Sequence, residues 1–207
     1  MAKQVINNGE TGLAVRTAIN SNFTELYDNG LSRSSTPPAS GVWYNLNDGK
    51  LYQFDSTLSG GKWVSGLEQS FSFAKNGNIN SGNYLFFNAT SMGNKEGGCV
   101  MGYTIGGIDY GFVFEKISYW IKSPIATGFT TGTTFQVKTS PPDGSIKTTI
   151  ETFTAPATGI TAQADFTGQD IIPKGNFAAV RYINTEPTPL ASSYVAVQLQ
   201  GRTVYDA

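Results

Sequence analysis

Histidine is absent from the 207 residues, and cysteine occurs once, at Cys99. Without histidine there is no Ser/His/Asp triad, and the usual general base and commonest metal ligand are missing. One cysteine cannot close an intrachain disulfide or build a zinc site, so no metal or cofactor is expected. Charge is scarce as well. Asp, Glu, Lys and Arg make up 14% of the chain, against roughly a quarter in soluble domains. The net charge of −1 comes with no basic stripe to neutralise phosphates, which argues against nucleic acid. No apolar run approaches a membrane-spanning length. The start of the chain, with Lys3 followed by polar residues, lacks the apolar core of a secretory signal. Synthesis and folding in a reducing cytoplasm are therefore expected. Only a carboxylate pair could support hydrolysis. The 15 acidic residues are dispersed, so the chain is expected not to be an enzyme.

What is abundant is neutral: 24 glycines, many Thr, Ser and Asn, and 13% aromatic residues. Residues 1–30 hold the one segment with helical periodicity. Thr11 can cap it, with Glu10 near the positive end of the helix dipole. Val15, Ile19, Phe23 and Leu26 recur at helical spacing, and Tyr27 widens the stripe. Gly30 offers a left-handed stop after Asp28 and Asn29. Such a short helix is marginal alone in water, so its stripe must be covered by the rest of the chain, by sister chains or by another protein.

Residues 31–41 read as a Pro/Ser linker, with Pro37 and Pro38 at its centre. Residues 42–66 read as a small β-meander. Strands over 42–46 and 50–54 flank Asn47, Asp48 and Gly49, a hairpin signal. Tyr44, Leu46, Leu51 and Trp63 have the alternation for an apolar face, though so small a piece needs support. From 67 to 207 strand patterns follow one another with no helical period. They are expected over 69–74, 84–89, 99–105, 112–122, 133–139, 146–153, 159–166, 177–184 and 193–200. Alternation is clearest at Phe135/Val137, Ile146/Thr148/Ile150 and Val195/Val197/Leu199. The fold class is therefore mainly β: an N-terminal α-helix, a small β-meander and a C-terminal antiparallel β-sandwich of jelly-roll type. Cys99 reads as a buried thiol acting as a small hydrophobe.

Gly12, Arg16, Thr17, Ala18, Ile19, Asn20, Asn22, Phe23, Glu25, Leu26 and Tyr27 resemble a turn-helix segment that recurs near the start of tailed-bacteriophage virion proteins. Trp43-Tyr44-Asn45, Asp48-Gly49-Lys50-Leu51-Tyr52 and Lys62-Trp63-Val64-Ser65 look like the small β-element preceding the C-terminal domains of some phage fibres. Residues 116–121, Thr133 to Val137 and Ile172 to Val180 look like TNF/C1q-type trimeric jelly rolls. The resemblance implies a homotrimeric head-fibre or tail-fibre component on the virion surface. Its anchoring and trimerising side chains would be Val15, Ile19, Phe23, Leu26 and Tyr27. Its partners would be copies of itself and other virion proteins: capsid, portal or tail.

Adhesion to host-surface polysaccharide is the binding chemistry left open. Trp43, Tyr44, Tyr52 and Trp63 cluster in the meander, where exposed rings would stack on sugars and buried rings would form the module's core. Tyr103, Tyr110, Tyr119 and Trp120 read as core or subunit contact. The loops over 88–98 and 185–193 are candidates for an outward receptor surface. Two alternatives stand beside the fibre reading: a carbohydrate-binding module and a capsule-degrading hydrolase.

Overall fold

The computed structural model describes residues 11–29, 31–87, 98–122, 133–144, 146–155, 161–168, 170–183 and 190–205. The chain divides into two compact units, Met1–Gly66 and Leu67–Ala207.

The first unit opens with α1 (Gly12–Asn29). Thr11 caps it as its sequence predicts: the Ala14 amide donates to Thr11 Oγ1 at 3.3 Å, and the Val15 amide donates to the Thr11 carbonyl at 3.0 Å. Residues 31–41 are not wholly a linker. Leu31–Ser34 forms β1, paired in parallel with β2 (Val42–Asn45). The Ser34 carbonyl accepts both the Trp43 indole N–H and the Leu46 amide, each at 3.0 Å, so the segment is tied down rather than loose. Strand β3 (Lys50–Asp55) pairs antiparallel with β2, and β4 (Lys62–Ile79) pairs with β3.

The β2–β3 turn is built by short-range bonds. Asn45 Oδ1 accepts the Asn47 amide at 2.9 Å, and Asp48 Oδ1 accepts the Lys50 amide at 3.0 Å. Gly49 has φ +68°, the left-handed value that favours glycine. The expected apolar face is divided. Trp43 pairs with Tyr52, and Phe54 with Trp63, on one side of the ladder, while Tyr44 pairs with Leu51 on the other. Leu46 and Leu51 are exposed, and the inner face is aromatic.

The second unit is a two-sheet sandwich. It takes β4 from Leu67 onward, then β5 (Phe86–Phe87), β6 (Cys99–Val100), β7 (Tyr103–Ile105), β8 (Ile108–Lys122), β9 (Thr134–Ser140) and β10 (Thr148–Thr154). There follow β11 (Thr161–Asp165), β12 (Ile171–Ile172), β13 (Phe177–Ile183) and β14 (Leu190–Tyr205). One sheet runs β4-β14-β8-β11 and the other β10-β9-β13-β6. The first major strand thus lies beside the last, and the second beside the one before last. This is the strand order of a jelly roll.

Alternation builds the core. Phe135 and Val137, then Ala178, Val180 and Tyr182, meet Val195, Val197 and Leu199 between the sheets. In β8 the inward positions shift from Phe112 and Phe114 to Ile117 and Tyr119. The cause is a bulge. The register steps from Gln200↔Lys116 to Gly201↔Phe114, leaving Glu115 without a direct partner in β14. Strand β10 also departs from its expected pattern. It begins at Thr148, leaves Ile146 66% exposed, and shifts register between Thr149 and Glu151. Cys99 is half-buried rather than fully buried, packed against the core as a free thiol, and burial pushes its pKa up.

Candidate functional site

Trp43 is 0%, Tyr52 0% and Trp63 6% exposed. Their rings pack on one another, with Trp43 5.4 Å from Tyr52 and 5.7 Å from Trp63. A ring without an open face cannot stack on a sugar, so the glycan-binding assignment of these three is corrected to a core role. Tyr44 is half-buried beneath the Arg33 guanidinium, 5.3 Å from its ring centre. In the helix, Ala18 is buried, Val15 half-buried and Ile19 39% exposed, with Leu13 at 71%. The side chains of Phe23, Leu26 and Tyr27 lie outside the described residues, as do most of the two candidate receptor loops, at 88–97 and 184–189.

The structure brings together a different set, on the outer face of the β4-β14-β8-β11 sheet. The bulge at Glu115 fixes its phase. With Ile117 and Tyr119 turned inward, Lys116, Ser118 and Trp120 turn outward. Cross-strand register then generates three rows. Ala196, Trp120 and Thr161 form the first, Gln198, Ser118 and Gln163 the second, and Gln200, Lys116 and Asp165 the third.

Trp120 is 38% exposed and meets Tyr194 edge-on, with ring centres 5.4 Å apart and planes at 63°. Around these rings lies a groove of about 500 Å³ whose lining also includes Ser72 and Ala74 from β4. A second depression of about 310 Å³ shares Ser118 and Gln163 with it and reaches Lys116, Asp165 and Gln200. Sequence reasoning placed Trp120 in the core or a subunit contact. Its polar phase with Lys116 and Ser118 was the signal for this face.

Carboxylates elsewhere in this unit serve as structural ties. Lys174 Nζ donates to Asp109 Oδ1 at 2.9 Å and Thr104 Oγ1 donates to the same oxygen at 2.8 Å, and these bonds hold the Asp109 carboxyl below its ordinary pKa. Arg202 Nε donates to Glu115 Oε1 at 2.6 Å across the bulge. Glu151 accepts the Thr167 amide at 2.9 Å and its hydroxyl at 2.7 Å. Asp165 is the one carboxylate among the residues lining the two depressions, whereas glycoside hydrolysis takes two flanking the bond. Among the described residues, no three His, Cys, Asp or Glu side chains converge to hold a metal ion. No helix among them is long and apolar enough to cross a membrane.

No family model matches the chain, and no curated protein does. Two solved structures are similar in part, both carbohydrate-binding modules of family 29. One, a variant studied for ligand recognition, is 12% identical, aligned over 66% of this chain and 92% of its own, with a TM-score of 0.26. The other is 11% identical over 66% and 89%, again with a TM-score of 0.26.

Proposed function

We propose that this chain is a non-catalytic adhesive subunit of a tailed-phage particle. It is a homotrimeric head-fibre or tail-fibre component on the virion surface, attached through its N-terminal helix to capsid, portal or tail. Its jelly roll is displayed outward and engages host-surface glycans. The observation that carries the reading is the helix. Thr11 caps its start, yet Ile19 of the apolar stripe is left 39% exposed, and Leu13, on a second side of the helix, 71%. A helix of this length draws its stability from packing of its apolar face, and sister helices or a virion protein supply the missing cover. The segment that resembles phage virion proteins covers this same helix. The low charge of the chain fits a surface shared with copies of itself.

The test is incorporation into particles. Leu13→Asp with Ile19→Asp alters exposed positions, so the β-sheet circular dichroism should persist while the protein no longer joins the particle. Incorporation at the wild-type level would refute the anchor. A second reading, a carbohydrate-binding module acting without a particle, draws on the Trp120 groove alone. It predicts sugar binding undiminished in that double variant and no particle association by the wild type.

A further inference from the structure

We infer that the Trp120–Tyr194 groove is the sugar-binding site and that its ligand is an uncharged polysaccharide. The inference rests on the adhesive reading above and narrows it to one face and one ligand class. A pyranose ring has an apolar C–H face and a rim of hydroxyls. It needs an aromatic plane left open, with uncharged donors and acceptors beside it.

The first row supplies the plane. Trp120 lies between Ala196 and Thr161, side chains too short to cover an indole. Tyr194 meets it in a T-shaped contact and lines one wall of the groove, and the indole remains 38% exposed. The second row supplies the hydrogen bonds. Ser118 lies between Gln198 and Gln163, and two carboxamides and a hydroxyl offer donors and acceptors together. From Trp120 to Lys116 is four strand residues, roughly 13 Å at the rise of a β-strand, enough for a short stretch of linked sugars.

Charge sets the ligand class. The first two rows contain no ionisable group. The third places Lys116 directly opposite Asp165, a carboxylate that repels an anion where the ammonium would attract it. An acidic glycan calls for unopposed arginine or lysine, and the groove lining offers none. A neutral chain brings no charge to be stripped of water, and its hydroxyls exchange water for the carboxamides and hydroxyl of the second row.

The experiment uses the full-length protein and calorimetry against neutral polysaccharides (dextran, β-glucan, galactan) and acidic ones (hyaluronate, polysialic acid). Binding to a neutral polymer is expected, weakened roughly tenfold or more in Trp120→Ala, as when an aromatic anchor is removed from an interface. Trp120→Tyr should recover part of it. Gln163→Ala, at an exposed position, should weaken binding without touching the core. Equal binding by wild type, Trp120→Ala and Gln163→Ala would overturn this site and leave the adhesive reading standing. Binding confined to acidic polymers would overturn the ligand class. A fall in solution mass on Trp120→Ala, with no sugar bound by the wild type, would make the face a contact between copies of this chain. No binding by the wild type, with its mass unchanged by the substitution, would overturn both the site and the glycan part of the proposed function.

Discussion

Trp120 and Tyr194 meet edge to face on the solvent side of the jelly roll, ring centres 5.4 Å apart. The other two tryptophans, Trp43 and Trp63, are 0% and 6% exposed. Acrylamide should therefore find a single accessible class of tryptophan in the folded protein. Trp120→Phe should abolish that class, leaving emission that resists quenching until the chain unfolds. Quenching that persists unchanged in Trp120→Phe would show the indole not to be the open one.

A second prediction concerns the bulge that sets the phase of this face. A Cβ built on Gly201 would lie 2.1 Å from the Val113 carbonyl oxygen and 2.9 Å from Phe114 Cα. Both are backbone atoms and cannot turn aside. Gly201→Ala should destabilise the protein by about 2 kcal/mol or more, seen as a lower urea midpoint. A midpoint within error of wild type would mean that β14 and β8 do not approach so closely.

The Asp109–Lys174 pair gives a pH prediction with a definite sign. The hydrogen bonds from Lys174 and Thr104 depress the folded-state pKa of Asp109. Its contribution to stability is therefore present above the unfolded pKa and is lost as pH falls through the lower, folded value. Asp109→Asn should melt slightly below wild type at neutral pH. The gap should close as pH falls below about 4. A gap that widened in acid would contradict the assignment.

Cys99 should be a slow thiol. Burial raises its pKa, so at pH 8 less of it is thiolate than in a free cysteine. Labelling by iodoacetamide should accelerate on denaturation. Equal rates in the native and unfolded states would place the sulfur in open solvent.

Much of the fold was legible because strand alternation reports directly on burial. Phe135/Val137 and Val195/Val197/Leu199 point inward as their spacing predicts. The helix start was readable from Thr11, since capping is a local interaction. What sequence hid depends on register. In the meander, alternation fits either face, and only cross-strand pairing puts Trp43 with Tyr52 inside and Tyr44 with Leu51 outside. Strand β1 was hidden because Leu31–Ser34 earns its place from a parallel partner, not from its own composition. The Trp120 face was half legible. Ser118 and Lys116 announce a polar side in phase with Trp120, but the bulge that turns this phase outward arises from a contact with β14 far along the chain. Ala196 and Thr161, whose small size leaves the ring open, are brought beside it only by folding.

The central claim is a trimeric fibre subunit, and the mass of the intact chain in solution tests it most directly. Sedimentation equilibrium of the full-length protein at micromolar concentration should give about three times the 22.2 kDa chain mass. Leu13→Asp with Ile19→Asp should lower it. A wild-type mass of 22.2 kDa, unchanged across that concentration range, would contradict the account.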